Sequence, residues 1–193
     1  MVHLSDNELI RYCQQGDKEA FRQLVGRYQN KIFWVAYQMV GNHEEARDIS
    51  QEAFIRVYRS LDKFHLTSNF YTWLYRIVVN LCIDFLRKQK PNNKPVSFEE
   101  VGEIKNSDIP IEEYLEKKEL SQEVNEILNQ LPPAYRIILI LRDIEGLSCK
   151  EIEQIVGCNH NTVRWRLFRS RQIFKDLWER RASLSQEIEN KNA

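Results

Sequence analysis

The segment 69–88 gathers on one narrow strip the side chains best able to handle a nucleic acid. Trp73, Arg76, Asn80, Asp84 and Arg87 recur at the three- and four-residue steps that align side chains along a helix. An indole stacks on a base, an amide hydrogen-bonds a base edge, and guanidinium groups hold phosphates. The same strip also suits packing against a second domain, and spacing alone leaves both roles open. A second concentration lies further along, where Asn161, Trp165, Phe168, Arg169 and Gln172 share one helical side and Thr162, Arg164, Arg166 and Arg171 flank it. Arg169 and Gln172 suit base edges, because a guanidinium pairs with guanine and an amide with adenine. The flanking arginines suit phosphates, which set register without reading sequence. A solvated basic face on an ordinary three-helix bundle is the plain alternative.

Catalytic chemistry has no comparable cluster. His3, His43, His65 and His160 are dispersed, no Ser or Cys sits in a recognisable triad, and the carboxylates fall on caps or solvent faces. Cys13, Cys82, Cys149 and Cys158 form no CxxC pair, and Cys158 with His160 lacks a second ligand pair for zinc. Reduced thiols are expected, with no metal, no cofactor, no small-molecule substrate and no enzymatic activity. No stretch approaches the ~18–20 apolar residues of a membrane span. The N-terminus lacks a signal-peptide pattern, so a cytoplasmic protein without membrane insertion is expected.

The elements that must position these strips are helices. Ser5 with Glu8 forms a capping box, Gly16 ends that helix, and Asp17 caps a second that runs to Gly41. Asn42 with Glu45 opens a third, buried along Ala46, Ile49, Ala53, Val57 and Leu61, and the segment from Asn69 supplies a fourth. Its apolar side is Leu74, Ile77, Val78, Leu81 and Phe85, widened by Tyr75, Val79, Cys82 and Leu86. The stretch "PNNKPVSFEEVGEIKNSDIP" has no sustained period and reads as a linker. Helical pattern then resumes, and Pro132 and Pro133 mark a new start at "PAYRIILILRD".

In "LSCKEIEQIVGCNHNTVRWRLFRSRQIF", Ser148 and Glu151 cap a short helix burying Ile152, Ile155 and Val156. Gly157 supplies the turn, and a longer helix buries Val163, Leu167, Ser170 and Phe174. This is the order of a helix-turn-helix, whose second helix enters the major groove. The expected fold class is all-α, with two small helical domains joined by a flexible acidic linker, the C-terminal one a helix-turn-helix. The charges agree with that division. The 28 basic and 28 acidic residues cancel overall, yet 1–90 hold 13 basic and 10 acidic, 91–115 hold 2 and 6, and 160–181 hold 7 and 2. Such a chain should bind free duplex weakly, since non-specific affinity comes mostly from neutralised phosphates.

"DISQEAFIRVYRSLDKF", "FYTWLYRIVVNLCIDFLRK" and "LPPAYRIILILRDIEGLS" leading into "TVRWRLFRSR" together resemble the extracytoplasmic-function group of bacterial sigma factors of the sigma-70 class. The resemblance implies a region 2 domain at 1–88, a linker at 89–111, a region 4 domain at 112–182 and a polar tail at 183–193. It implies core RNA polymerase and promoter DNA as partners, and an anti-sigma factor that masks the same surfaces. By the same resemblance, Asp48, Gln51, Glu52, Phe54 and Ile55 dock on polymerase; a solvated acidic face is the plain alternative. Trp73 holds the edge of the melted minus-ten element, Asn80 bonds a base, and Arg76 and Arg87 guide the backbone. Phe64, Asn69 and Phe70 form a pocket for a flipped base, or a turn and cap only, with Arg56 and Tyr75 completing the minus-ten set. Asn161, Thr162, Arg164, Trp165, Arg166, Phe168, Arg169, Arg171 and Gln172 then face the minus-thirty-five duplex. Several positions depart from the family pattern. Glu153 stands where a small residue is usual, Trp165 replaces a small polar one, and "NHN" replaces a proline-glycine type turn. A dimeric helix-turn-helix regulator acting without polymerase is the competing function.

Overall fold

The computed structural model describes residues 4–89 and 115–192, and among them every regular element is helical. The chain divides into two compact units. The first contains α1 (Asp6–Gln14), α2 (Lys18–Val40), α3 (His43–Ser60), a 3-10 turn (Leu61–Lys63) and α4 (Phe70–Lys88).

The starts of these helices are set by side chains that satisfy otherwise unpaired N–H groups. The Glu8 carboxylate accepts from the Ser5 N–H at 2.7 Å while the Ser5 hydroxyl accepts from the Glu8 N–H at 3.3 Å, closing the box on α1. Asp17 accepts from Glu19 and Ala20 at the head of α2, and Asn42 from Glu44 and Glu45 at the head of α3. Gly41 ends α2 at φ 74, a left-handed conformation that costs glycine nothing. Leu24, Ile32, Val35, Ala36 and Met39 of α2 then bury against Ala46, Ala53 and Val57 of α3 and Leu74, Val78 and Cys82 of α4. Each buried large aliphatic side chain contributes about 1.5–3 kcal/mol. Two long-range ties complete the unit. Arg27 meets Asp6 at 2.6 Å, and the Gln14 amide donates at 3.0 Å to the carbonyls of both Leu61 and Phe64.

Beyond the described gap lie α5 (Leu115–Gln130), α6 (Pro133–Leu139), a π turn (Ile140–Ile144), α7 (Cys149–Val156) and α8 (His160–Asn192). The linker expected at 89–111 falls outside the described residues except at Gln89. Pro133 occupies the first turn of α6, where its missing N–H removes no bond. The single helix expected from "PAYRIILILRD" instead widens after Leu139: Glu145 N–H bonds the Ile140 carbonyl five residues back at 3.0 Å, and Gly146 turns the chain at φ 74. The polar tail expected at 183–193 continues α8 without a helix-breaking residue. Neither glycine nor proline occurs from Asn161 onward, and α8 continues unbroken to Asn192.

Candidate nucleic-acid interface

Within the first unit, the last turn of α3 and the first turns of α4 converge on an open groove of about 580 Å³. Its floor is aromatic. Phe64 lies 4.9 Å from Trp73 and 5.8 Å from Phe70, centroid to centroid, and Phe70 lies 5.9 Å from Trp73. Phe64 and Phe70 are buried and form the support, while Trp73 is half-buried and presents part of its indole to the groove. Arg56, Arg59, Lys63 and His65 line it as well, with Ser60, Ser68 and Ile77. This arrangement can stack a planar base while cations and hydroxyls hold its phosphate and edge. The two hydrogen bonds from the Gln14 amide to the Leu61 and Phe64 carbonyls fix the turn that carries the floor.

Of the residues expected here, Arg56, Phe64 and Trp73 line the groove. Arg76, Asn80 and Arg87 are exposed along the strip of α4, with Asp84 accepting from Arg87 at 3.3 Å. Phe70 is a supporting ring under Trp73 and does not line the groove. The Asn69 side-chain oxygen Oδ1 accepts from the Thr72 N–H at 3.4 Å, capping α4. Tyr75 is a correction: it is fully buried, its ring 4.2 Å from Tyr71, because its position on the wheel falls on the core side of α4. Arg59, Lys63, His65 and Ser68 were missed. Arg56, Arg59 and Lys63 follow the i, i+3, i+7 step, a signal present in the sequence.

On the outer side of α3, Asp48, Gln51 and Ile55 are exposed and Glu52 and Phe54 are half-buried. Ile55 is 44% exposed and Tyr58, one turn on, 52%, so this acidic face carries an apolar stripe. Phe21 meets Tyr58 edge-on at 4.9 Å. Glu52 pairs with Arg56 at 2.8 Å, linking this face to the wall of the groove.

In the second unit the Ser148 hydroxyl donates to the Glu151 carboxylate at 2.6 Å and accepts from the Glu151 N–H at 3.3 Å, so α7 begins where the capping box predicts. The Ser148 hydroxyl, joined by the Ser148 N–H at 2.9 Å, donates to the Glu151 carboxyl and holds it below the usual carboxylate range. Gly157 turns the chain at φ 70, and Asn159, not anticipated as a cap, accepts from the Thr162 N–H at 2.8 Å to start α8. Val163, Leu167 and Ser170 of α8 are buried, the Ser170 hydroxyl donating to the Tyr135 carbonyl at 2.9 Å. The opposite side exposes Asn161, Arg164, Trp165, Phe168, Arg169 and Gln172, with Arg169 donating to Gln172 at 3.3 Å; Thr162 is half-buried. One correction follows. Arg166 is buried, since it lies beside Val163 and Ser170 on the wheel. Arg171 is fastened in a fork to Asp143 of the π turn, its Nε 2.9 Å from Oδ2, and that bond raises its pKa further. Its side chain remains 55% exposed. The Trp165 and Phe168 rings are 58% and 62% exposed.

Among the described residues no group of His, Cys, Asp and Glu could hold a metal ion, and no helix is long and apolar enough to cross a membrane. Burial and the nearby Asp17 carboxylate push the Cys13 thiol up to about 11, so it stays protonated at neutral pH.

Residues 24–91 match the family model described as Sigma-70 region 2, and residues 121–173 the one described as Sigma-70, region 4. The chain is 39% identical over 181 residues to the ECF RNA polymerase sigma-E factor of Haemophilus influenzae, covering 90% of this chain and 95% of that one. It is 37% identical to the ECF RNA polymerase sigma factor SigW of Bacillus subtilis, covering 86% and 92%. Among solved structures, CnrH in complex with the cytosolic domain of CnrY superposes with a TM-score of 0.69 at 24% identity, covering 90% of this chain and 97% of CnrH, a likeness of fold.

Proposed function

The chain belongs to the extracytoplasmic-function group of RNA polymerase sigma factors, and on that premise we propose how its residues divide the work of promoter recognition. The first unit captures the melted minus-ten element. The observation that carries this is the aromatic-floored, cation-walled groove opening beside the exposed strip of α4. Taking a base out of the stack costs a few kcal/mol, and stacking on an aromatic platform returns about 1–3 kcal/mol per base. Trp73 supplies the platform, Asn80 bonds a base, and Arg56, Arg59, Lys63, Arg76 and Arg87 hold the backbone. The exposed acidic and apolar face of α3 docks on core polymerase through Asp48, Gln51, Glu52 and Ile55, with half-buried Phe54 beneath. The outer side of α8 enters the minus-thirty-five duplex, with Arg169 and Gln172 at base edges and Arg164 at phosphate. Domain limits of 1–88 and 112–182, a cytoplasmic location, the lack of any catalytic step and inhibition by an anti-sigma factor belong to the same proposal.

Run-off transcription with bacterial core polymerase on a genomic fragment library tests this reading. The protein should add discrete start sites, and replacing Trp73 and Asn80 by alanine should abolish them while polymerase still co-purifies with the variant. Start sites undiminished in the double variant would overturn strand capture by this strip. Tight binding of the isolated protein to a symmetric duplex, with no polymerase-dependent transcript, would favour a dimeric regulator.

A further inference from the structure

Trp165 closes no core: the inner side of α8 is filled by Val163, Leu167 and Ser170, while this ring is left 58% exposed. The Tyr135 ring of α6 stands 6.1 Å from it at 53°, within the range of an aromatic pair. Exposed Arg164 and Arg169 lie beside it on the same helix, which marks the partner of this face as a polyanion. An indole offers one N–H donor and no acceptor, so it cannot repeat the two-point reading available to Arg169 or Gln172. What it offers is a flat apolar surface, and the apolar group that the major groove presents is the C5-methyl of thymine.

We propose that Trp165 is a specificity-determining residue that packs its indole on a thymine methyl, so that the upstream element bears thymine at the base pair opposite it. This rests on the reading of α8 as the duplex-reading helix. Phe168, 62% exposed and three residues on, rises about 4.5 Å along the helix, close to one base step, and falls on a neighbouring pair.

Holoenzyme assembled on core polymerase is used to select from promoter duplexes with a randomised upstream window, comparing wild type with Trp165→Ser. Because the side chain is exposed, the variant keeps the fold. Wild type should enrich thymine at one position, and the variant should lose that preference while retaining those at other positions. Uracil in place of that thymine removes only the methyl, and should weaken wild-type binding by about four-fold, the worth of one buried methyl, while leaving the variant unchanged. Identical selected sequences for both proteins, or an equal loss on uracil for both, would overturn the role of Trp165 while leaving α8 as the reader. No upstream preference in wild type, despite active initiation, would remove the parent reading and this proposal with it.

Discussion

The guanidinium of Arg136 is 2% exposed and donates to the Asn129 side-chain oxygen at 3.0 Å and to the Asn129 and Leu131 backbone carbonyls at 2.6 and 3.0 Å. It joins the C-terminal end of α5 to α6 across the Pro132–Pro133 corner, where carbonyls have no helical partner. Arg136→Ala should destabilise the second unit by about 3 kcal/mol, because a buried carbonyl left without a donor costs about 1–3 kcal/mol. Urea unfolding followed by tryptophan fluorescence reads this, and an unchanged midpoint would show that water replaces the guanidinium freely. Arg136, Arg166 and Arg171 also show why individual roles were only partly legible. Periodicity assigns a direction from the axis, and it rightly separated Trp73, Arg76 and Asn80 from the core of α4. It says nothing about which acceptor a long cationic side chain will find. The fork between Arg171 and Asp143 spans elements that no local pattern links.

At the scale of the element, legibility was high where local chemistry decides. Ser5 with Glu8 and Ser148 with Glu151 place α1 and α7 where their sequences say, since each box satisfies N–H groups that belong to its own first turn. The π turn after Leu139 was not legible, because it depends on how Leu141 and Leu147 reach the core together. The Ser148 box also carries a pH dependence. The Glu151 carboxyl is held low first by the Ser148 hydroxyl and then by the Ser148 N–H. A depressed carboxyl contributes stability that is fully present above its unfolded pKa and is lost as pH falls through the folded one. Thermal unfolding of the protein and of Glu151→Gln should therefore differ at pH 6 and converge as pH is lowered below about 4.3, the ordinary glutamate value. A constant difference across that range would mean that geometry alone, and not the charge, makes the cap.

At the scale of the molecule, two reading surfaces on a chain of zero net charge gain promoter affinity when a third body fixes their spacing, which is an effective-concentration effect. The outer face of α3 is the surface on which that body would act, and its charges can be reversed without disturbing the helix. Asp48 is exposed, and among the described residues Glu52 pairs with Arg56, in a pair whose side chains are 43% and 50% exposed. Such a pair is worth about 0.2–1 kcal/mol, so Asp48→Arg with Glu52→Arg should unfold at nearly the wild-type temperature. It should nevertheless fail to co-purify with core polymerase and lose every polymerase-dependent transcript, although Trp73, Asn80 and Arg169 are untouched. Docking and DNA reading are thereby separated: the variant keeps the weak, salt-sensitive duplex binding of the free chain, since the basic side chains responsible remain in place. Undiminished co-purification would move the docking surface off α3, and loss of fold would mean that the Glu52–Arg56 pair supports the turn carrying the aromatic floor.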